Sequence, residues 1–266
     1  MRVNPKKRLG QHFLKNEYIA SRIVESVRSE NRFLLEIGPG TGVLTKYLLA
    51  DKEKELTVVE LDEESVEYLK IHYPELIPRI IARDFLSLPL EELFNDSVTL
   101  IGNFPYNISS QILFKLIDYK DLATELVGMF QKEVAERVAA LPGKKTYGIL
   151  SVLLQSYFDI EYLFTVDEHE FYPPPKVKSA VIRITRNKDK HLDCDDRLFK
   201  RVIKTAFNQR RKTLRNSLKT FVFDTVFAQD PIFNLRPEQL GVRDFETICR
   251  HIVLPEVNGE KPECGV

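Results

Sequence analysis

A short segment behind a predicted strand, Leu100–Asn107, carries residue types that could bind an amine-bearing ring. The apolar run Val98–Ile101 predicts a buried strand. Gly102 frees the backbone and Pro105 prevents further strand pairing, and a helix is predicted from Ile108 to Tyr119. The segment should therefore form a rigid turn at the carboxyl end of a strand, where open α/β sheets bind their ligands.

Asn103 and Tyr106 are the side chains of this turn that could do chemistry. The amide oxygen of Asn103 and the backbone carbonyl of Phe104 can accept hydrogen bonds from an exocyclic amine. The ring of Tyr106 can stack on a planar base. Together they favour a site for an amino-substituted base, whereas a structural turn with a core tyrosine is the alternative for the segment taken alone.

A glycine-rich turn, Gly38-Pro39-Gly40-Thr41-Gly42, follows the predicted strand Phe33–Ile37 and precedes a helical pattern. Its glycines let the backbone approach a ligand closely. The dinucleotide fingerprint would need glycine where Val43 stands, and the Gly-Lys-Ser/Thr of a P-loop is absent. The spacing therefore favours a nucleoside ligand without phosphate, although such a turn can also merely connect a strand to a helix.

Two further predicted strands are followed by carboxylates. Glu55–Glu60 ends in an acid about twenty residues past the glycine turn, where a carboxylate can accept both hydroxyls of a ribose. Arg79–Arg83 is followed by Asp84, which can accept from an adenine amine, and by Phe85, whose ring can cover the adenine. Each acid alone could be a helix cap. Three successive strands that each deliver a suitable group favour a nucleoside site.

Charge is balanced over the 266 residues but unevenly distributed. The hydrophobic content of 43% suffices for one large domain or two modest ones. Positions 1–15 and 200–219 hold basic residues and no acid, which favours a local polyanion site, with solvated helix faces as the alternative. On one helix, Lys204, Arg211 and Arg215 would share a face that Arg201 and Lys212 flank. The predicted polyanion contacts are Lys204, Arg210, Arg211, Lys212 and Arg215.

The cysteines, Cys194, Cys249 and Cys264, have no CxxC spacing, and no His/Cys cluster suggests a metal site. An odd, sparse cysteine count fits a reducing compartment. No apolar run follows the basic start as a signal peptide would require, and no stretch is long enough to span a bilayer. These features predict a cytoplasmic protein that uses neither metal nor membrane.

Two segments could close over the crevice. The proline run Phe171–Val177 can hold the ring of Phe171 above it, with a rigid connector as the alternative. Gln11 and His12 precede an amphipathic helix and could pack over the ligand, with a surface loop as the alternative. Further strands are predicted at Leu126–Phe130 and, as an antiparallel pair, at Phe158–Val166 and Val181–Ile184.

The chain is predicted to divide near Asn187–His191, which is typical of a linker. The predicted parts are residues 1–187, a helical domain at 188–254, and a disordered tail at 255–266. Within the second part, helices are predicted at Leu198–Phe207, Thr213–Phe223 and Phe245–Val253.

Six motifs in this order resemble the ribosomal RNA adenine dimethylase family of the bacterial KsgA type, over about Asn4 to Val253. Six agreeing motifs are specific together, although none would suffice alone. The motifs are Gly10–Leu14, Glu36–Gly42, Glu60–Asp62, Asn103–Asn107, Phe171–Val177 and Phe207–Asn216.

The resemblance implies a Rossmann-like methyltransferase domain with a mostly parallel seven-stranded sheet, followed by a small all-helical domain. It implies S-adenosylmethionine as methyl donor and, as target, the N6 amines of two adjacent adenosines near the 3′ end of small-subunit ribosomal RNA. A role in small-subunit maturation and a monomeric state are also expected. Carried over by position, the family's donor-site residues are His12, Leu14, Gly38, Glu60, Asp84 and Asn103. Gly40 and Phe85 are also expected to contact the donor.

Two positions depart from the commonest family pattern. Phe104 stands where leucine is usual, but this position offers its backbone carbonyl, so the chemistry need not change. His12 stands where some members have asparagine, which leaves its donor contact open.

The expected mechanism needs no cysteine nucleophile, and no cysteine lies near the crevice motifs. This disfavours a pyrimidine carbon-5 methylase, which would need one. Asn103 and the Phe104 carbonyl would direct the lone pair of the amine, while Tyr106 and Phe171 sandwich the base. The alternatives are a large-subunit ribosomal RNA methylase that confers antibiotic resistance and a non-catalytic assembly factor. Donor-dependent methyl transfer to isolated small subunits separates these classes.

Overall fold

The computed structural model describes residues 3–253, which form one seven-stranded sheet, one two-stranded sheet and surrounding helices. The strands are β1 Phe13–Leu14, β2 Phe33–Ile37, β3 Glu55–Val59, β4 Ile80–Ile81, β5 Val98–Asn103, β6 Ala123–Gln131, β7 Phe158–Val166, β8 Phe171–Tyr172 and β9 Ser179–Arg186. The helices are α1 Glu17–Glu25, α2 Thr45–Leu48, α3 Glu63–His72, α4 Ser109–Asp118, α5 Lys132–Val138, α6 Ile149–Gln155, α7 Asp196–Asn208, α8 Leu214–Ser217 and α9 Val242–Arg250.

The large sheet has the order β4-β3-β2-β5-β6-β9-β7. Strands β2 to β6 pair in parallel, and β9 and β7 complete the sheet as an antiparallel pair. The predicted mostly parallel, Rossmann-like sheet is therefore confirmed. From β2, the strands β3 and β4 follow one another toward one edge of the sheet. The chain then returns to the other side of β2, where β5 and β6 lie. The sheet thus has its topological switch point between β2 and β5, where a crevice opens at the strand ends.

Several strands have other boundaries than the sequence predicted, and those of β4 and β5 bear on the site. Strand β4 is shorter than predicted, because a 3₁₀ helix at Pro74–Arg79 occupies the residues before it. Strand β5 is longer, and it includes Gly102 and Asn103. A Cβ atom at Gly102 would lie 2.6 Å from the carbonyl oxygen of Ile37, so glycine permits close strand packing at this point.

The two-stranded sheet joins distant parts of the chain, because β1 pairs with β8 in antiparallel register. Asn16 strengthens the junction: its oxygen caps α1 at Tyr18 and Ile19, and its amide nitrogen donates to Glu170 at 2.9 Å. The segment before α1 is therefore held against the proline run.

The described residues fold into two compact units, one of residues 3–140 and 146–191 and a second of 141–145 and 192–253. Helix α7 belongs to the second unit and buries Leu198, Phe199, Val202 and Ile203 on its apolar face. The predicted limits at 187 and 254 stay predictions, and the predicted disordered tail 255–266 lies outside the described residues. Within residues 3–253, no helix is long and apolar enough to cross a membrane.

The predicted helix Thr213–Phe223 is wrong beyond its first turn, since α8 ends at Ser217. The following Thr-Phe-Val-Phe run is β-branched and aromatic, which disfavours a helix. Phe223 instead forms a β-bridge with Ile252.

The predicted continuous basic face across positions 204–215 is wrong for a related reason. Helix α7 ends at Asn208, and the chain turns before α8, whose N-cap Thr213 is extended. The amide of Leu214, the first residue of α8, donates to the carbonyl of Leu235 at 2.8 Å, which anchors the start of α8 to a more distant segment.

Candidate active site

A cavity that encloses about 880 Å³ of space, including the solvent at its mouth, opens at the carboxyl ends of β2, β3, β4 and β5, at the switch point of the sheet. Its described lining comes from the segments after these four strands and from the segment before β1. The lining residues are Leu9, Gly10, Gln11, His12, Phe13, Ile37, Gly38, Gly40, Val59, Glu60, Leu61, Arg83, Asp84, Phe85, Asn103, Phe104, Pro105, Tyr106, Asn107 and Ile108.

The glycine turn forms one wall of this cavity. Gly40 has a φ of +57°, and a Cβ atom there would lie 2.8 Å from the ring of Phe13. Glycine is therefore required both by the backbone conformation and by the segment that packs on it. Lys6 pairs with Asp62 and lies 3.2 Å from a carboxylate oxygen of Glu64, which ties this N-terminal segment to the start of α3.

Glu60 follows β3 directly and is 6% exposed. One carboxylate oxygen accepts from the amide of Gly40 at 3.1 Å, and the other accepts from the amide of Asp62 at 2.8 Å. Burial raises the pKa of Glu60, while these hydrogen bonds act in the opposite direction. Each oxygen retains a lone pair, so the carboxylate can still accept a pair of hydroxyls.

Asp84 and Phe85 follow β4 and line the opposite end of the cavity. One carboxylate oxygen of Asp84 caps a 3₁₀ turn by accepting from the amide of Leu86 at 2.9 Å. Leu61 is 54% exposed and adds an apolar surface. Arg83 is the sole Lys or Arg among the described lining residues, which suits an uncharged ring better than a phosphate.

Asn103 ends β5 with its side-chain amide in a fixed orientation. The amide nitrogen donates to the carbonyl of His12 at 2.9 Å, so the amide oxygen is directed away from that contact. The ring of Phe104 is 1% exposed and packs on Phe130 with a centroid distance of 4.8 Å. A Cβ atom at Gly128 would lie 2.1 Å from this ring, so glycine makes room for the phenylalanine.

Tyr106 and His12 lie side by side, with ring centroids 5.3 Å apart. The Tyr106 hydroxyl is 2.5 Å from the hydroxyl of Ser179, and burial raises the pKa of Tyr106 although this hydrogen bond opposes the shift. His12 Nδ1 lies 2.7 Å from the carbonyl oxygen of Pro173. Because a carbonyl only accepts, Nδ1 is the donor of this hydrogen bond.

Leu14 differs from the other predicted donor-site residues, because it is absent from the lining of the large cavity. Its side chain is 4% exposed, and it borders a smaller cavity of about 280 Å³ that shares Phe13, Gly38 and Asn103 with the large one. Glu36, which sequence reasoning missed, also borders this smaller cavity.

Phe171 also departs from its predicted place. Its ring is 1% exposed and belongs to the hydrophobic core, where β8 pairs with β1 and turns the side chain inward. It offers no free face to a base in this structure. The next residue, Tyr172, is 50% exposed.

The predicted basic contacts all belong to the second unit. Lys204, Arg211, Lys212 and Arg215 are exposed. Arg210 is less exposed, and it donates to the carbonyl of Lys144 at 3.4 Å and lies 3.8 Å from a carboxylate oxygen of Glu238. Their contact with RNA stays a prediction.

Two buried charges were missed by sequence reasoning, although each interrupts an apolar run. Glu36 interrupts β2, is 1% exposed and accepts from the hydroxyl of Thr45 at 2.6 Å. Burial raises the pKa of Glu36 to about 8. Lys115 interrupts the apolar part of α4 and is 9% exposed. A charge within an otherwise apolar periodic run was the available signal.

The described geometry can hold a nucleoside-like ligand between Glu60 and Asp84 and present a second ring to Asn103 and Tyr106. No group of three His, Cys, Asp or Glu residues within 3–253 could hold a metal ion.

Comparisons with known proteins agree with this description. The profile of the family "Ribosomal RNA adenine dimethylase" matches residues 2–234. "Ribosomal RNA small subunit methyltransferase A" of Parabacteroides distasonis is 60% identical over 245 residues, which cover 91% of this chain and 92% of the relative. The protein of the same name from Phocaeicola vulgatus is 57% identical over 246 residues, or 91% of this chain and 88% of the relative.

Solved structures share the fold. A dimethyladenosine transferase from Plasmodium falciparum superposes with a TM-score of 0.73 at 25% identity, covering 88% of this chain and 94% of the other. A 23S rRNA methyltransferase superposes with a TM-score of 0.66 at 23% identity, covering 90% and 99%. The second similarity concerns the fold alone.

Proposed function

Because the chain belongs to the ribosomal RNA adenine dimethylase family, we propose that it dimethylates the N6 amines of adenosines in small-subunit ribosomal RNA. The protein is an S-adenosylmethionine-dependent ribosomal RNA methyltransferase. The two adjacent adenosines near the 3′ end are the proposed target. A monomeric state and a cytoplasmic location stay predictions.

We assign donor binding to one side of the cavity, made by Gly38, Gly40, Glu60, Asp84 and Phe85, and call this the donor side. Glu60 accepts the ribose hydroxyls with the lone pairs that its backbone contacts leave free. Asp84 accepts from the adenine amine, and Leu61 and Phe85 supply the apolar surface around the ring. When bound, S-adenosylmethionine supplies an activated methyl group.

We assign the acceptor adenine to the target side, made by His12, Asn103, Phe104 and Tyr106. The amine of adenine is a poor nucleophile because its lone pair is delocalised into the ring. The Asn103 oxygen and the Phe104 carbonyl accept its two N–H groups and thereby direct the lone pair out of the ring plane. Since the methyl group is already activated, positioning supplies most of the catalysis.

The observation that carries this proposal is the hydrogen bond from the Asn103 amide to the His12 carbonyl at 2.9 Å. Because the amide nitrogen of Asn103 is held by this bond, its amide oxygen is the atom left to accept a hydrogen bond from the adenine amine. A side chain that is oriented before the substrate arrives needs no reorganisation during the reaction.

Tyr106 supports the adenine by stacking. The base must leave its helical stack or lie in a loop, which costs a few kcal/mol. Stacking on an aromatic side chain contributes roughly 1–3 kcal/mol per base and can offset that cost. Phe171 would have to leave the core to take the opposite face, whereas the half-exposed Tyr172 needs no such change.

The test is donor-dependent methyl transfer to isolated small ribosomal subunits that lack the modification, with the modified nucleotides mapped. We expect two methyl groups on each of two adjacent adenosines near the 3′ end. Large subunits serve as the matched control. Methylation of large-subunit RNA instead would contradict the proposed target, and binding without methyl transfer would favour an assembly factor without catalysis.

A further inference from the structure

Lys115 is a buried cation whose role the assignments above do not cover. It lies on α4 among the buried residues Ile112, Leu113, Leu116 and Ile117 and is 9% exposed. Burying an ammonium group is costly unless hydrogen bonds compensate, so its partners indicate its purpose.

The ammonium group bonds to backbone carbonyls. Nζ donates to Phe85 at 2.8 Å, to Leu86 at 3.2 Å and to Leu88. It also lies 4.9 Å from the centroid of the Phe85 ring. Within the described chain no salt bridge reaches Lys115. Burial lowers the pKa of Lys115, although the charges of Asp84 and Glu91 favour its charged form.

These carbonyls belong to the segment that begins with Asp84 and Phe85, two donor-side residues. The segment contains only a three-residue 3₁₀ turn, Phe85–Ser87. So short a turn satisfies few of its own carbonyls. The three bonds from one lysine therefore hold the segment in place.

The beginning of α4 is fixed to the target side. Helix α4 starts directly after the turn that carries Tyr106, and the buried hydroxyl of Ser109 donates to the carbonyl of Pro105 at 3.2 Å. One rigid helix thus contacts the target-side turn at its first residue and the donor-side segment two turns later.

We infer that Lys115 is a positioning residue for donor recognition: it fixes Asp84 and Phe85 relative to the turn that carries Asn103 and Tyr106. This inference rests on the proposed function, because Asp84 is the group assigned to the adenine amine. Lys115 itself contacts neither donor nor RNA in this assignment.

The test measures binding of two ligands by calorimetry to the full-length protein. One ligand is S-adenosylhomocysteine, and the other is its analogue with hydrogen in place of the adenine 6-amine. The variants are Lys115→Met, Lys115→Gln and Asp84→Ala, with Lys70→Met, at an exposed lysine of α3, as matched control. The wild type and the control should bind the analogue at least tenfold more weakly than S-adenosylhomocysteine.

In Lys115→Met we expect S-adenosylhomocysteine to bind at least tenfold more weakly and the preference over the analogue to disappear. Lys115→Gln keeps N–H donors, so its affinity for S-adenosylhomocysteine and its preference over the analogue should lie between those of Lys115→Met and the wild type. If the methionine variant does not fold, the glutamine variant is the test. The KM for the donor should rise by the same factor, while kcat and the KM for RNA change less than threefold. Lower thermal stability alone, without these changes, would indicate a merely structural lysine.

Two outcomes separate the inference from its premise. If Asp84→Ala abolishes the preference but both Lys115 variants retain it, the inference is overturned and the proposed donor site stands. If Asp84→Ala also retains the preference, the assignment of Asp84 is wrong, and the inference falls with it.

Discussion

The two sides of the cavity are built in different ways. The donor side comes from consecutive strand–turn units, and its key hydrogen bond joins residues only 20 positions apart, Gly40 and Glu60. The target side is assembled from three distant segments: Asn103 bonds to His12 across 91 positions, and His12 meets Pro173 across 161. The donor side therefore depends on contacts of shorter range along the chain, whereas the target side joins segments up to 161 positions apart.

This difference predicts how the two sides respond to substitution. Donor-side residues contact a ligand in its ground state, so their loss should change affinity. Target-side residues act on the amine as it reacts, so their loss should change turnover.

The largest effect is expected for Asn103→Ala. Removing a preoriented polar group from a reacting centre typically costs on the order of 10²–10³ in kcat, and the backbone of residue 103 keeps its place in β5. Donor affinity should change less than about threefold. Single-turnover methylation and calorimetry measure the two quantities.

Asn103→Asp sharpens this prediction. It retains acceptor oxygens but loses the N–H that donates to the His12 carbonyl. We expect it to be as impaired as Asn103→Ala if orientation of the amide is what matters. Near-normal turnover in either variant would sink the assignment.

On the donor side, Glu60→Ala should weaken donor affinity at least tenfold. Losing a charged hydrogen-bond partner costs about 1.5–3 kcal/mol, and the glycine turn also loses its contact at Gly40. Glu60→Gln keeps one acceptor oxygen, so its donor affinity should lie between those of Glu60→Ala and the wild type. If calorimetry finds unchanged donor affinity in Glu60→Ala, the ribose contact is refuted.

The basic turn of the second unit gives a third and smaller effect. Changing Arg210, Arg211 and Lys212 to alanine should weaken binding to small ribosomal subunits and flatten its salt dependence, by about one unit of log–log slope per lost phosphate contact at most. Donor affinity should stay the same. Arg210→Ala alone is the control, because Arg210 already contacts Lys144 and Glu238. An unchanged slope in the triple variant would mean that these charges only solvate the turn.

The sequence placed the proposed donor-side residues at the strand ends because the elements that carry them are local. A strand, a glycine turn and an acid at the next strand end are recognised from periodicity and spacing, and Gly38, Gly40, Glu60, Asp84 and Phe85 all line the cavity. Asn103, Phe104 and Tyr106 were found for the same reason, since one strand end carries all three.

The features that could not be predicted from the sequence depend on contacts between residues that are far apart along the chain. The β1–β8 pair is two residues long and has no periodic signal, yet it turns Phe171 into the core and removes Leu14 from the large cavity. The predicted basic face is wrong because α7 ends at Asn208 and a separate helix, α8, begins at Leu214, which is anchored to Leu235. The structural role of Lys115 was missed because its partners are backbone carbonyls. Every residue has such a carbonyl, so no residue type in the sequence marks these partners.

The last prediction concerns the stability of the donor side. Burial raises the pKa of Glu36 from its ordinary value of 4.5 to about 8. Between these two values the unfolded chain has released a proton that the folded protein keeps, so rising pH favours unfolding. The stabilising contribution is complete below pH 4.5 and lost above about pH 8. Through this one group, the free energy of unfolding falls by at most about 1.4 kcal/mol for each unit of pH.

Glu36→Gln should remove this slope while keeping an acceptor for the Thr45 hydroxyl. Urea unfolding without donor at several values between pH 5 and 8 measures it. We expect the free energy of unfolding of the wild type to fall more steeply with pH than that of the variant, with the variant more stable at pH 8. Glu60, whose pKa is also raised, is present in both proteins, and its charge contributes to the shift of Glu36, so the difference between the curves reports Glu36 together with its coupling to Glu60. Parallel curves would mean that Glu36 is ionised throughout this range, and that the donor side carries a buried charge instead of a buried proton.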